Sequence, residues 1–154
     1  MIRAAVATDA PGMADLLNRI IAIGGTTAHE KPKTAAEVAE DYILGPDTLT
    51  CVVAEDAGRI IGWQAVGQWQ GDAHIGTFVD PSTQARGIGA SLFAATLAQC
   101  KATGLSVLHA AIRADNVPGL AYYSRIGFTD MSFDPGFALT DGRVVGRVTR
   151  VFHL

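Results

Sequence analysis

The segment 78–92, FVDPSTQARGIGASL, combines a strand end, a polar turn and two glycines, Gly87 and Gly89, that open an amphipathic helix. Glycine lets the backbone approach a ligand closely, and the amides of a first helical turn have no partner inside the helix. Together with the helix dipole, such amides bind anions. The pattern therefore predicts a phosphate or pyrophosphate site. The alternative is a tight turn without a ligand.

Other common catalytic motifs are missing from the sequence. No Gly-Lys pair is present, so there is no P-loop, and Leu92 stands where a dinucleotide-binding fingerprint starting at Gly87 needs Gly or Ala. A Gly-x-Ser-x-Gly elbow and a His-Glu-x-x-His zinc motif are also lacking. No serine has a basic residue at the spacing of a known catalytic motif, and the four histidines are scattered along the chain. Nothing in the sequence therefore indicates a covalent enzyme intermediate or a metal.

A second chemistry-bearing segment runs over 116–128, NVPGLAYYSRIGF. Asn116 precedes a short helix, and the Asx cap that it offers to this helix is its structural interpretation. Tyr122 and Tyr123 lie in that helix and point about 100° apart. Core packing is the preferred interpretation for Tyr122, whereas Tyr123 alone is equally consistent with packing and with a site role.

The order of elements that must position these segments is β-α-α-β-β-β-α-β-α-β-β. Apolar periodicity, the Thr34–Glu37 capping box and glycine-containing turns indicate this order. Its middle strands can pair as antiparallel hairpins, so the pattern predicts an α+β fold with a mixed sheet. The expected strands are 2–6, 49–54, 59–68, 73–79, 107–112 and a strand-like C-terminal part ending in 144–154, and the main expected helices are 87–103 and 118–126.

Composition restricts the class of protein. The chain has 154 residues, of which 49% are hydrophobic and 18% charged, enough to predict a single globular domain over 1–154. A net charge of −3 disfavours nucleic acid as a partner. Uncharged apolar runs are too short for a membrane helix, and two cysteines cannot form a disulfide framework. We therefore expect a cytoplasmic protein with no membrane partner.

In these two segments and in its order of elements, the sequence resembles the GNAT-type N-acetyltransferases. QARGIG at 84–89 fits the acetyl-CoA signature Gln/Arg-x-x-Gly-x-Gly/Ala of that family. In the second segment, Asn116, Tyr123 seven residues later and Gly127-Phe128 fit the other family signature, with Gly119 in place of the usual Ala. The resemblance covers nearly the whole chain. It implies a mostly antiparallel sheet with a splayed central strand pair and about four flanking helices.

The resemblance also implies a set of acetyl-CoA contacts. The backbone of Val79 would meet the pantetheine and the thioester carbonyl, and Asn116 would hydrogen-bond the pantetheine arm. Tyr123 would stand near the sulfur and donate a hydrogen bond to the departing thiolate, and its spacing from Asn116 favours this site role. The pyrophosphate would lie in the signature turn, on Gln84, Ala85, Arg86, Gly87, Ile88, Gly89 and Ala90.

The acceptor side is less marked in the sequence. His74, near the start of the central strand, is the preferred candidate for the base that removes the amine proton, with a structural strand histidine as the alternative. His29 and Glu30 are candidates for the acceptor pocket. Their segment 26–34 is loosely similar to the phosphinothricin-type branch, which implies a small amine acceptor and a homodimer. Three aromatic residues could wall the pocket, although packing is favoured for each: Trp63, Trp69 and Phe133.

These implications converge on direct transfer of an acetyl group from the CoA thioester to a primary amine of a small molecule. The alternatives are acetylation of a protein N-terminus or lysine, and a non-catalytic acyl-CoA-binding module. The presence of Tyr123 disfavours the last, because a pure binder has no need of a donor beside the sulfur.

Overall fold

The computed structural model describes residues 1–83 and 87–154. Seven strands form one sheet in the order β1-β2-β3-β4-β5-β7-β6. Every neighbouring pair is antiparallel except β4 and β5, which are parallel. The strands are β1 (Ile2–Ala4), β2 (Thr48–Asp56), β3 (Arg59–Trp69), β4 (Asp72–Val79), β5 (Val107–Arg113), β6 (Thr129–Asp134) and β7 (Arg147–His153).

Four α-helices flank the sheet: α1 (Ala10–Ile23), α2 (Ala35–Ala39), α3 (Ile88–Ala102) and α4 (Val117–Arg125). The predicted capping box forms at α2, where the Thr34 hydroxyl accepts from the Glu37 N–H and the Glu37 carboxylate accepts from the Thr34 N–H. A π-helical turn, Glu40–Leu44, continues α2. In the part of the chain that the structure describes, we find no helix with both the length and the apolar character needed to cross a membrane.

The two faces of the sheet are covered by different helices. On one face, α1 and α2 pack on Trp63 and Phe78. On the other face, α3 packs on β2 and β3 through Ile88 and Leu92, and α4 contributes Tyr123 to the cluster around Phe93. The predicted α+β fold with a mixed, mostly antiparallel sheet and four helices is confirmed.

The central parallel pair diverges. Among the described residues, β4 and β5 pair at a single position, His74 with His109, although β4 continues to Val79 and β5 to Arg113. Because both strands run in the same direction, they separate toward their C-terminal ends. We call this gap between residues 75–79 and 110–113 the wedge. The splayed strand pair implied by the resemblance is therefore present.

The last strand starts later than the sequence predicted. The backbone N–H groups of Val145 and Gly146 both donate to the carbonyl of Phe137. Val144 forms an isolated bridge with Ala138. These contacts hold the chain in a local loop, so pairing with β5 begins at Arg147 rather than at Val144.

Candidate active site

A buried group of hydroxyl and amide side chains borders the wedge. The Tyr123 hydroxyl, from α4, lies 2.9 Å from the Thr77 hydroxyl on β4. The amide nitrogen of Gln64, on β3, also donates to the Thr77 hydroxyl at 2.9 Å. Burial raises the pKa of Tyr123. The phenol is therefore held in its neutral form and can act as a hydrogen-bond donor but not as a base at neutral pH.

Tyr122 links this group to the start of α3. Its hydroxyl donates to the Gly89 carbonyl at 2.8 Å and accepts from the Gln64 amide at 3.0 Å. Its ring is partly buried and packs against the core cluster that contains Phe93, as the sequence indicated. A Cβ on Gly89 would lie 2.7 Å from the Tyr122 ring. The second glycine of the signature is thus required by packing in this chain, whatever ligand binds nearby.

The first turn of α3 offers backbone amides at the open end of the wedge. Gly87 precedes the helix with φ +72°, a conformation that favours glycine, and none of the described side chains comes within 4 Å of a Cβ placed there. The N–H groups of Ile88, Gly89 and Ala90 lie in the first turn of the helix, whose amides have no partner inside the helix. The other three residues assigned to this turn from the sequence, Gln84, Ala85 and Arg86, lie outside the described residues.

Asp80 anchors the strand end that leads into this turn. Its carboxylate accepts from the backbone N–H and the hydroxyl of Ser82, at 3.0 and 2.8 Å, and from Arg19 of α1 at 3.2 Å. Burial acts to raise the pKa of Asp80, but these donors outweigh it and the pKa is lowered. The charged carboxylate therefore stays paired and holds the turn in place.

The backbone of Val79 is oriented as a site at the wedge requires. The Asp80 N–H donates to the Ile61 carbonyl on β3 at 2.8 Å. Because successive N–H groups along a strand point to opposite sides, the N–H of Val79 points away from β3 and into the wedge. There β5 has separated from β4, so this amide is positioned to meet an extended ligand.

Asn116 serves as the predicted cap of α4. Its side-chain oxygen accepts from the Gly119 N–H at 2.9 Å, and its amide nitrogen donates to the Thr26 carbonyl at 3.0 Å. A Cβ at Gly119 would lie 2.3 Å from that nitrogen. The glycine that departs from the family signature therefore lets Asn116 close onto its own helix and hold the loop between α1 and α2.

A cavity of about 570 Å³ opens on the opposite face of the sheet. Ile75 and Gly76 of β4 and Ala111 of β5 line it, so the cavity reaches both walls of the wedge. His29, Tyr42, Trp69 and His74 also line it, together with the acidic residues Glu40, Asp41 and Asp47. No Lys or Arg is found among the described residues of the lining.

Both histidines of the cavity favour the neutral form. The His29 ring nitrogen Nε2 lies 2.6 Å from the Tyr42 hydroxyl. Burial, followed by the charge of Lys33, lowers the pKa of His29. Burial, followed by the neighbouring His109, lowers the pKa of His74. Each imidazole can therefore accept a proton at neutral pH.

The structure separates the remaining acceptor-side candidates. Glu30 lies away from the described lining of the cavity, and its carboxylate accepts from the backbone N–H and the hydroxyl of Thr140, at 3.0 and 2.7 Å. It therefore pins the C-terminal loop. Trp63 is fully buried in the core, as packing predicted, and Phe133 is 58% exposed on β6. Of the three aromatic candidates, Trp69 is the one that reaches the cavity.

Comparison with known proteins gives the family. A model of the acetyltransferase (GNAT) family matches residues 17–128. The chain belongs to the GNAT acetyltransferase family. It is 27% identical over 134 residues to phosphinothricin N-acetyltransferase of Streptomyces viridochromogenes, covering 83% of this chain and 73% of that protein.

Two further relatives extend the comparison of this GNAT chain. It is 38% identical over 100 residues to mycothiol acetyltransferase of Clavibacter michiganensis, covering 62% of this chain. The chain spans about a third of the length of that relative, 32%. The fold matches a phosphinothricin acetyltransferase of Sinorhizobium meliloti in complex with AcCoA, with a TM-score of 0.85, 21% identity and coverage of 100% of this chain and 88% of that chain.

Sequence reasoning missed several residues of the candidate site. Gln64 lies on β3 and Thr77 on β4, with a hairpin turn between them in sequence. They face each other because they are register partners in the sheet. Tyr42 enters the cavity from the π-helical turn, which no local pattern indicated. The alternation of side chains along the predicted hairpin could have placed Gln64 opposite β4. Tyr42 follows Ala35 and Val38 at helical spacing, which indicates a shared helix face but no cavity.

Proposed function

We propose that the protein is an acetyl-CoA-dependent N-acetyltransferase that acetylates a primary amine of a small molecule. The wedge carries this proposal, because it connects the amide-rich start of α3 on one face of the sheet to the cavity on the other face. A thioester threaded through the wedge would present its acyl group to an acceptor in the cavity. Membership of the GNAT family and the AcCoA complex of the Sinorhizobium neighbour support this cofactor.

The cofactor is held by backbone more than by side chains. The pyrophosphate lies on the amides of 87–90, with Gln84, Ala85 and Arg86 completing the turn, because a helix N-terminus attracts phosphate. The pantetheine arm runs along the free edge of β4 at Val79. Asn116 binds the arm with its amide group, for which it exchanges its contact with Thr26.

The acceptor is a cationic amine of modest size. The cavity volume suits a small molecule, since ligand pockets measure about 300–1,000 Å³. Asp41 is paired with Lys33 at 2.8 Å, whereas Glu40 and Asp47 supply further negative charge. This charge favours an ammonium group. The names of two relatives, mycothiol acetyltransferase and phosphinothricin N-acetyltransferase, refer to small molecules and agree with this size class.

The transfer is direct. The amine loses a proton to His74 or His29 and its nitrogen attacks the thioester carbon, forming the C–N bond. The N–H of Val79 stabilises the oxyanion of the tetrahedral intermediate. The C–S bond then breaks while the neutral Tyr123 hydroxyl donates a hydrogen bond to the departing thiolate. The surplus proton on the attacking nitrogen passes to the sulfur, so the products are the amide and CoA thiol. Binding both reactants at the wedge supplies the proximity that this mechanism requires.

The test is calorimetric titration with acetyl-CoA, desulfo-CoA and 3′,5′-ADP, followed by a panel of primary amines with detection of CoA thiol. We expect saturable binding of acetyl-CoA and thiol release with cationic amines. Absence of binding by folded protein at millimolar acetyl-CoA would refute the proposal. Binding without thiol release for any amine, peptide N-terminus or lysine peptide would instead favour a non-catalytic acyl-CoA-binding module. The homodimer and the cytoplasmic location stay predictions.

The pH dependence reports on His74. Because burial lowers its pKa below the usual value of 6.5, the imidazole is neutral, and able to accept a proton, above that depressed pKa. We therefore expect kcat/KM for the amine to fall as pH drops through a midpoint below 6.5. His74→Gln should abolish this limb and lower the rate about 10²-fold. His153→Gln, at the exposed end of β7, is the control, and an unchanged profile in His74→Gln would assign the base to His29.

A further inference from the structure

A cluster of three metal-binding side chains lies beside the cavity, at the position where β4 and β5 last pair. Asp72 and His74 are two residues apart on β4 and therefore point to the same face of the sheet. His109 is the register partner of His74 across the parallel pair. One ligand atom from each residue lies within 4.8 Å of the other two.

We propose that Asp72, His74 and His109 form a binding site for a divalent transition metal ion of the zinc class. Two imidazoles and one carboxylate are a donor set that suits Zn²⁺, and three protein ligands leave further positions for water. With metal–ligand bonds of about 2.0–2.2 Å, tetrahedral ligands stand roughly 3.3–3.6 Å apart. Side-chain rotations that move the ligand atoms about 1–1.5 Å closer together would therefore bring the cluster to bonding geometry.

The three side chains are available as ligands. Within the described part of the chain, none of them makes a side-chain hydrogen bond or an ion pair, and the Nδ1 atom of His109 is shielded from solvent without a partner. The rings of His74 and His109 stack at 5.4 Å between centroids.

Neighbouring side chains of the described residues pack against the imidazole rings but do not bond to their nitrogen atoms. Trp69 packs edge-on against His74 at 4.8 Å between ring centroids. The guanidinium group of Arg147 stacks over the Trp69 ring, with its central carbon 5.5 Å from the ring centre. Its positive charge opposes cation binding, and the Asp72 carboxylate offsets that charge.

Occupation of this site would inhibit acetyl transfer; this consequence rests on the proposed function. A metal bound to His74 uses the lone pair that would otherwise accept the proton of the amine. The ion also stands at the edge of the cavity that receives the acceptor. The ion is then a negative regulator and takes no part in the transfer itself.

The binding test is calorimetric titration of the untagged chain with ZnCl₂ in a non-chelating buffer, without acetyl-CoA. We expect one ion per chain, and Asp72→Asn and His109→Gln should each weaken binding at least about tenfold. His153→Gln, a histidine of β7 outside the cluster, is the matched control and should bind as the natural chain does. Co²⁺ provides a second readout, since its visible absorption band in the natural chain should be lost in His109→Gln.

Equal affinity of the natural chain and the Asp72→Asn and His109→Gln variants would overturn the site, as would an equal loss in His153→Gln. Because Asp72 is exposed, Asp72→Asn keeps the test valid should His109→Gln fold poorly. Zinc binding is measured without turnover, so a chain that binds Zn²⁺ but transfers no acetyl group would refute the proposed function and leave the site standing. Should transfer occur, Zn²⁺ should inhibit the natural chain and not His109→Gln.

Discussion

Tyr123→Phe should lower the turnover number of acetyl transfer about 10²- to 10³-fold and leave the affinity for acetyl-CoA within about twofold. The phenol of Tyr123 reaches Thr77 at the wedge from α4, and its raised pKa keeps it a donor. Removing the hydroxyl leaves a developing thiolate without this donor in a buried site. Steady-state kinetics with saturating amine, together with calorimetry of acetyl-CoA, measures both quantities.

The matched control is Tyr122→Phe, which removes the neighbouring hydroxyl from the same network. That hydroxyl bonds Gly89 and Gln64, so its loss should cost about 0.5–1.5 kcal/mol of stability and change turnover little. If Tyr123→Phe retains full turnover, or if the two variants lose turnover equally, Tyr123 has no special role at the sulfur. Loss of acetyl-CoA affinity in Tyr123→Phe with a normal residual rate would also contradict the assignment.

Gly87→Glu should weaken acetyl-CoA binding at least about a hundredfold. The carboxylate would stand in open space at the N-terminus of α3, where the helix dipole attracts negative charge. It would therefore occupy the place of the pyrophosphate and repel it. Calorimetric titration with acetyl-CoA and with 3′,5′-ADP checks the loss and shows whether it concerns the pyrophosphate or the adenosine end.

The control for Gly87→Glu lies at the other end of the same helix. Gly104 also has a positive φ, +78°, and open space around its missing Cβ. Gly104→Glu thus introduces the same charge and a similar backbone strain away from the wedge. It should lose stability as Gly87→Glu does, yet bind acetyl-CoA as the natural chain does. A comparable loss of affinity in both variants would mean that strain, and not the anion site, is responsible.

Local patterns predicted the elements well because their causes are local. The capping box of Thr34 and Glu37 and the cap at Asn116 involve partners three residues away. The helix that opens after Gly87 and the turns of the hairpins follow from the same short-range rules. The differences arise where distant contacts compete, as at Phe137, whose carbonyl delays the start of β7.

The candidate site was predicted unevenly for the same reason. Two signatures located Tyr123, Asn116 and the turn after Val79, because their spacing is part of the sequence itself. The acceptor side has no such spacing. Glu30 and His29 are adjacent in sequence, yet Glu30 bonds Thr140 and His29 bonds Tyr42 inside the cavity. Which of two neighbours enters a cavity depends on the direction of each side chain in the folded loop.

Patterns along the chain were sufficient for the order of elements and the family, and they predict the residues that would meet acetyl-CoA. The tertiary structure alone decided the partners across the sheet: Tyr123 with Thr77, Gly89 with Tyr122, and His74 with His109. Helix periodicity, caps and turns depend on neighbours within about four residues, so they can be read along the chain. The wedge depends on the register of two parallel strands joined through α3, and that register is set by packing of distant segments.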